Sequence, residues 1–287
     1  MKEKRKYFIS MMLLLMSMLL LTACGSNSEQ AKKEENQAET QQPSGQNSET
    51  NKEQTDEPLF AYVGAGLKDP FEELMEMYKQ ETGKSIETSY NNSGSLVTQL
   101  ETAKKGDIFM PGGMPFVKKA QENRHIEYIE GPIAYHTPVI VTPKGNPANI
   151  TSFADLANEN VELIVPELEA TALGKTLGKI MKNANLQSEI EKQIIVAVES
   201  APKITATLLL GQGNAAITEY SAWAKQQDQL DLIEIDPAIN EVDEIPCAVI
   251  KYSTQKAEAE KFVKFVAEKG TEIFAKHGFK IDVPSKN

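Results

Sequence analysis

The chain has 287 residues and a formal net charge of −11. That acidity argues against nucleic acid as a partner, since phosphate binding rests on Lys and Arg, and against adhesion to an anionic membrane surface by charge alone. Two cysteines and three scattered histidines (His125, His136, His277) show no Cys/His cluster with zinc- or haem-ligand spacing.

The first 24 residues read as an export signal. Lys2, Lys4, Arg5 and Lys6 form a basic start, residues 7–20 an apolar run, and Leu21-Thr22-Ala23-Cys24 follows. The apolar run is shorter than the roughly 20 residues that a spanning helix needs. With the cysteine directly after Leu-Thr-Ala, residues 1–23 resemble a bacterial lipoprotein signal peptide. The resemblance implies cleavage before Cys24 and lipidation of that cysteine, with several acyl chains holding the protein to the membrane. Residues 24–57 are Gln, Asn, Ser, Glu, Thr and Lys with little that is apolar. Such a stretch buries too little surface to offset its ordering entropy, so it is expected to be a disordered tether. A long polar tether suits a Gram-positive cell surface. With Cys24 acylated, Cys247 has no partner within the chain, and its apolar run 245–250 reads it as a small buried hydrophobe.

From residue 58 onward strand and helix signals alternate. Residues 59–63 read as a buried strand. Residues 70–82 carry Phe71, Leu74, Met75 and Tyr78 at helical spacing, with Gly83 as the stop signal. A strand over 85–90, a helix over 96–104, a short strand over 107–110 and a helix over 117–122 follow. The apolar runs 138–142 and 248–252 stand outside this local rhythm. Between them lie a strand over 161–165, a helix over 171–183, a segment over 189–197 of mixed signal, a helix over 204–210 and a strand over 215–218. Helices over 256–268 (Ala259, Phe262, Val263, Val266) and 271–277 close the chain. Strands alternating with helices predict α/β architecture with mostly parallel sheets. The expected layout is a lobe of 58–138 and 247–287, a second lobe of 139–246, and two crossing strands between them.

Two loops carry the candidate chemistry. Gly64-Ala65-Gly66-Leu67-Lys68-Asp69-Pro70 and Asn91-Asn92-Ser93-Gly94-Ser95 each join a strand to a helix. A helix N-terminus offers unpaired N–H groups and the positive end of its dipole, which suits an anion, and glycine lets the backbone approach closely. Taken singly, Asn and Ser before a helix are ordinary caps and Gly-Ala-Gly an ordinary turn. As consecutive βα loops, both can face one crevice at the carboxyl edge of the sheet.

The segments 60–67, 90–96 (Tyr-Asn-Asn-Ser-Gly-Ser-Leu), 106–109 (Gly-Asp-Ile-Phe), 137–143, 246–250 and 273–279 resemble, in order and spacing, the molybdate-binding proteins of bacterial ABC importers. The resemblance covers nearly all of 58–281. It implies a two-lobed periplasmic-binding-protein fold that closes over its ligand by a hinge at the crossing strands. It carries a donor serine onto Ser93, with Asn92 beside it. The serine of the first loop falls on Gly66, a departure that leaves a backbone N–H there and at Ala65. A backbone donor falls on Thr171 and a pocket tyrosine on Tyr220. A further donor falls near Pro202 or Lys203, and proline has no N–H. The implied donors are neutral N–H and O–H groups, with no fixed cation. Glu219 is read as pointing outward, because an unpaired carboxylate would repel a dianion.

The implied function is that of a receptor, not an enzyme. It would capture molybdate or tungstate and pass it to an ABC importer permease, as a monomer on the extracytoplasmic face of the cell membrane, attached through the lipid on Cys24. It would need no cofactor and no metal ligand, the oxyanion being held by hydrogen bonds. Sulfate, phosphate or a small organic anion stay open as alternatives. Phosphate carries protons and needs an acceptor, which Glu219 could supply. No Ser-His-Asp order with supporting motifs and no Gly-x-Ser-x-Gly elbow point to catalysis.

Overall fold

A computed structural model of the chain describes residues 57–283. The expected signal peptide, Cys24 and the tether up to residue 56 lie outside the described residues. Two five-stranded sheets organise the fold. The first contains β1 (Leu59–Gly64), β2 (Ile86–Asn91), β3 (Ile108–Met110), β4 (Ile126–His136) and β10 (Asp243–Ile250). Its order is β2-β1-β3-β10-β4. The second contains β5 (Pro138–Pro143), β6 (Leu163–Pro166), β7 (Ile194–Val198), β8 (Ala215–Glu219) and β9 (Leu230–Glu234), in the order β7-β6-β8-β5-β9. Four of the five strands in each sheet run one way. β10 is antiparallel to both neighbours in the first sheet, and β5 to both in the second. The sheets are therefore mixed, with one reversed strand inserted beside three parallel ones.

Alternation builds a layer on each side of each sheet. Along β1, Leu59, Ala61 and Val63 join one core cluster while Tyr62 joins the opposite one. In the second sheet Leu163 and Val165 face one cluster and Ile164 the other. The helices are α1 (Lys68–Thr82), α2 (Ser93–Ala103), α3 (Met114–Glu122), α4 (Ala172–Asn183), α5 (Gln187–Glu191), α6 (Ala201–Leu209), α7 (Tyr220–Ala224) and α8 (Lys256–Lys276). α1 stops as its sequence predicts: Gly83 adopts φ 78° and its N–H donates to the Lys79 carbonyl at 2.8 Å.

Several bounds differ from the sequence reading for identifiable reasons. α2 starts at Ser93 because the Asn92 side chain accepts the Ser95 N–H at 2.8 Å, a cap that pulls the helix start forward. α6 starts at Ala201 because Pro202 sits in its first turn, where a missing N–H costs nothing. β4 was not predicted; Gly131-Pro132 interrupts its alternation, and Gly131 has φ 133°. Residues 256–276 form one helix rather than two. Gly270 lets α8 run against β4, since a Cβ there would come within 2.5 Å of Ile133 Cγ2. Cys247 is fully buried in β10 and its burial raises the thiol well above its usual range, as a core residue requires.

The two sheets are joined where β4 passes into β5 through Thr137 alone and where residues 235–242 lead β9 back to β10. Residues 243–246, assigned from sequence to the second lobe, belong to β10 of the first sheet, where 243–245 pair with β4. Register then brings four strand ends together. His136 pairs with Asp243 across β4 and β10, and Glu219 pairs with Pro138 across β8 and β5.

Candidate functional site

A cavity of about 40 Å³ lies between the sheets, with walls from both. From the first come Gly64, Ala65, Gly66, Asn92, Ser93, Gly112 and His136; from the second, Thr171, Ala172, Leu173, Ser200, Ala201 and Glu219. Four helix starts meet there. α1 arrives through a short 3₁₀ turn over Ala65–Leu67, and α2, α4 and α6 arrive directly. First-turn N–H groups have no acceptor within their own helix, so the convergence concentrates donors and positive dipole ends on one small volume.

Capping uses some of these groups. Thr171 Oγ1 accepts the Gly174 N–H at 2.8 Å and donates to the Glu167 carbonyl at 2.9 Å. Asn92 Oδ1 caps Ser95, and the Asn92 N–H donates to Asn91 Oδ1 at 2.8 Å. Thr171 and Asn92 therefore shape the site as caps. The donors left in position are the Ser93 hydroxyl and N–H and the first N–H groups of α4 and α6. Ser93 is 4% exposed. Gly112 gives it room: a Cβ there would lie 3.3 Å from Ser93 Oγ and 3.4 Å from His136 Nε2.

The lobes are closed on each other. The Gly94 N–H donates across the cleft to the Ala170 carbonyl at 2.8 Å. Lys225 pairs with Asp69, and Lys175 Nζ sits 5.4 Å from the Phe116 ring centroid. Outward, the cavity shares Ala65, Gly66, Ala201 and Glu219 with a wider cleft of about 310 Å³.

Ala65, Gly66, Asn92, Ser93 and Thr171, singled out from sequence, all line this one cavity. Tyr220 does not. Its side chain faces a separate cavity of about 350 Å³ beside the crossing segments, under Lys280 Nζ at 3.9 Å from its ring centroid. Pro202 lines the outer cleft, Lys203 pairs with Glu199, and Ala201 and Ser200 take the inner position. Two further expectations are overturned. Glu219 points inward, 6% exposed, and lines the cavity. It is not an unpaired charge, because its Oε2 lies 2.7 Å from His136 Nδ1. The site also has a group able to carry positive charge. His136 is 3% exposed, and its Nε2 is buried beside Gly112 with no well-directed hydrogen bond among the described residues. The available signal was position: His136 directly precedes the crossing run 137–143.

Among the described residues no group of His, Cys, Asp and Glu is arranged to hold a metal ion, and no helix is long and apolar enough to cross a membrane. The arrangement is a small cavity at converging helix starts with one imidazole and one facing carboxylate, a donor set that suits an anion.

Residues 59–280 match the family described as Bacterial extracellular solute-binding protein. A Haemophilus influenzae protein described only as a binding protein is 30% identical over 222 residues, spanning 77% of this chain and 90% of that one. The molybdate-binding protein ModA of Mycobacterium tuberculosis is 24% identical over 223 residues, spanning 77% and 84%. Among solved structures, the sulfate-binding protein SubI of Mycobacterium tuberculosis superposes with a TM-score of 0.67 at 18% identity, covering 79% of this chain and 88% of its own.

Proposed function

The chain belongs to the bacterial extracellular solute-binding proteins, and from that premise we propose that it captures a small tetrahedral oxyanion, molybdate or tungstate, between its lobes and delivers it to an ABC importer. The observation that carries this reading is the meeting of four helix N-termini around a cavity of about 40 Å³. One water needs roughly 10–15 Å³ of such volume, so the space suits a few-atom ligand. Hydrogen bonds from neutral donors to an anion are roughly twice as strong as neutral pairs and stay reversible, as a delivery protein needs. The protein has no catalytic role in this reading and works as a monomer. The lipid on Cys24 and the tether after it would keep the receptor beside its permease.

A second reading has one specific observation in its favour. Glu219 faces the cavity and can accept a hydrogen bond, which favours an anion that carries a proton, such as phosphate.

Thermal unfolding of the purified protein with molybdate, tungstate, sulfate and phosphate separates the two. A ligand at 1,000 times its Kd stabilises the folded state by about 4 kcal/mol. The leading reading expects that gain with molybdate and tungstate at micromolar levels, and much less with phosphate. A gain with phosphate alone replaces it by the second reading. No gain with any of the four anions contradicts the oxyanion assignment.

A further inference from the structure

We propose that His136 is the cationic, specificity-determining anchor of the site, held across the hinge by Glu219, and that an entering dianion is bound together with a proton. This rests on the oxyanion reading above. His136 belongs to the first sheet and Glu219 to the second, so their 2.7 Å contact bridges the two lobes at the single-residue crossing. With Nδ1 engaged by the carboxylate, the ring turns Nε2 toward Gly112 and the Ser93 hydroxyl, at the wall of the anion cavity. Nε2 makes no well-directed hydrogen bond among the described residues, and the Gly112 backbone is the imidazole's one further polar support. A buried donor poorly matched costs free energy, and an anion in the cavity supplies a better-placed acceptor.

The groups facing His136 come from every element packed on it. Glu219 lies at the end of β8 and Asp243 at the start of β10; Gly112 follows β3, and the Phe279 ring lies 6.1 Å away by centroids. Farther along the cavity wall, Glu199 is paired with Lys203. Burial alone would lower the His136 pKa; the Glu219 carboxylate, helped by Asp243 and the Gly112 backbone, overrides it and holds the imidazole above its usual value. Burial pushes Asp243 up to about 6, against the pull of His136 and Lys179. A dianion placed in the cavity adds negative charge beside both groups, so it favours the imidazolium and the protonated Asp243 alike. Both effects have one sign. Binding is strongest below the His136 pKa of the free protein and weakens as pH rises through it, approaching tenfold per pH unit for one linked proton.

Charge also becomes a selection device. An imidazolium gains more from a dianion than from a monoanion of the same shape, so molybdate is preferred over perrhenate, a tetrahedral monoanion.

Calorimetry on the full-length protein tests this. Molybdate and sulfate, which stay fully deprotonated, are titrated between pH 6 and 9 in two buffers of different ionisation enthalpy. Net proton uptake, and a Kd that climbs with pH, is the expected wild-type result. His136→Gln should abolish the uptake and flatten the profile above pH 7, beyond the Asp243 range, and weaken molybdate about 10- to 100-fold at pH 6, with a much smaller loss for perrhenate. A purely structural role would weaken both anions alike and leave the pH slope in place. Wild-type binding without proton uptake, or a His136→Gln protein that keeps the slope, overturns the inference and leaves the oxyanion reading intact. No binding of either anion by the wild type removes both.

Discussion

Gly112→Val weakens oxyanion binding by at least about 100-fold. An added Cβ at this position lies 3.3 Å from Ser93 Oγ, 3.4 Å from His136 Nε2 and 3.9 Å from Ala172 Cβ. All three of those residues line the cavity, so the new side chain grows into it. The γ-methyl groups then occupy space in a volume of only about 40 Å³. One surplus methylene in a fitted pocket costs roughly 10- to 200-fold in discrimination, and valine adds more than one. The backbone at Gly112 is outside the left-handed region, so the variant folds without backbone strain. Its unfolding temperature without anion should stay near the wild-type value. Titration with molybdate checks the outcome, and Gly112→Ala should give an intermediate loss. Binding by Gly112→Val within threefold of wild type would move the site elsewhere.

Phe262→Ala tests the scaffold rather than the site. Phe262 is fully buried on α8. Its ring packs edge-on against Phe71 at 5.7 Å and Tyr78 at 5.0 Å, and stacks on Phe265 at 6.4 Å. This aromatic group ties α8, the last helix, to α1, the first. Truncating a buried phenylalanine removes its transfer free energy and leaves a cavity, about 3–5 kcal/mol in all. For a unit of this size that is roughly 6–20 °C in Tm. Molybdate affinity should be unchanged, because Phe262 belongs to the first-lobe core and not to the cavity wall. Denaturant unfolding followed by circular dichroism gives the number. A loss under about 1 kcal/mol would mean that the cluster collapses around the gap and that α8 is not held as described.

Local chemistry made much of the fold legible. Phe71, Leu74 and Tyr78 at helical spacing before Gly83 announce α1, and the continuous apolar run over 59–63 announces β1. The crossing at Thr137-Pro138 shows as an apolar run out of step with the βα rhythm. β4 escaped because Gly131-Pro132 breaks its period, and β9 because a polar turn over 225–229 separates it from its neighbours. In the site, the loop residues Ala65, Gly66, Asn92 and Ser93 were visible because two such loops follow strands in consecutive βα units and resemble the binding loops of one family. His136 and Glu219 were not, because their meaning is a contact between residues 83 positions apart, created by the register of two different sheets. Tyr220 follows Glu219 directly in the chain, yet its side chain goes to the other side of the crossing. Proximity in sequence says nothing about which wall a side chain joins where a strand turns into a helix.

The central claim is that the cleft between the sheets holds a tetrahedral oxyanion on helix N-termini and His136. Crystals grown with tungstate, with diffraction recorded at the tungsten absorption edge, test it most directly. The account predicts one strong anomalous peak within hydrogen-bonding reach of Ser93 Oγ, His136 Nε2 and the first N–H groups of α4 and α6. A peak in the cavity under Lys280 and Tyr220 instead, or no peak in the cleft at saturating tungstate, would contradict it.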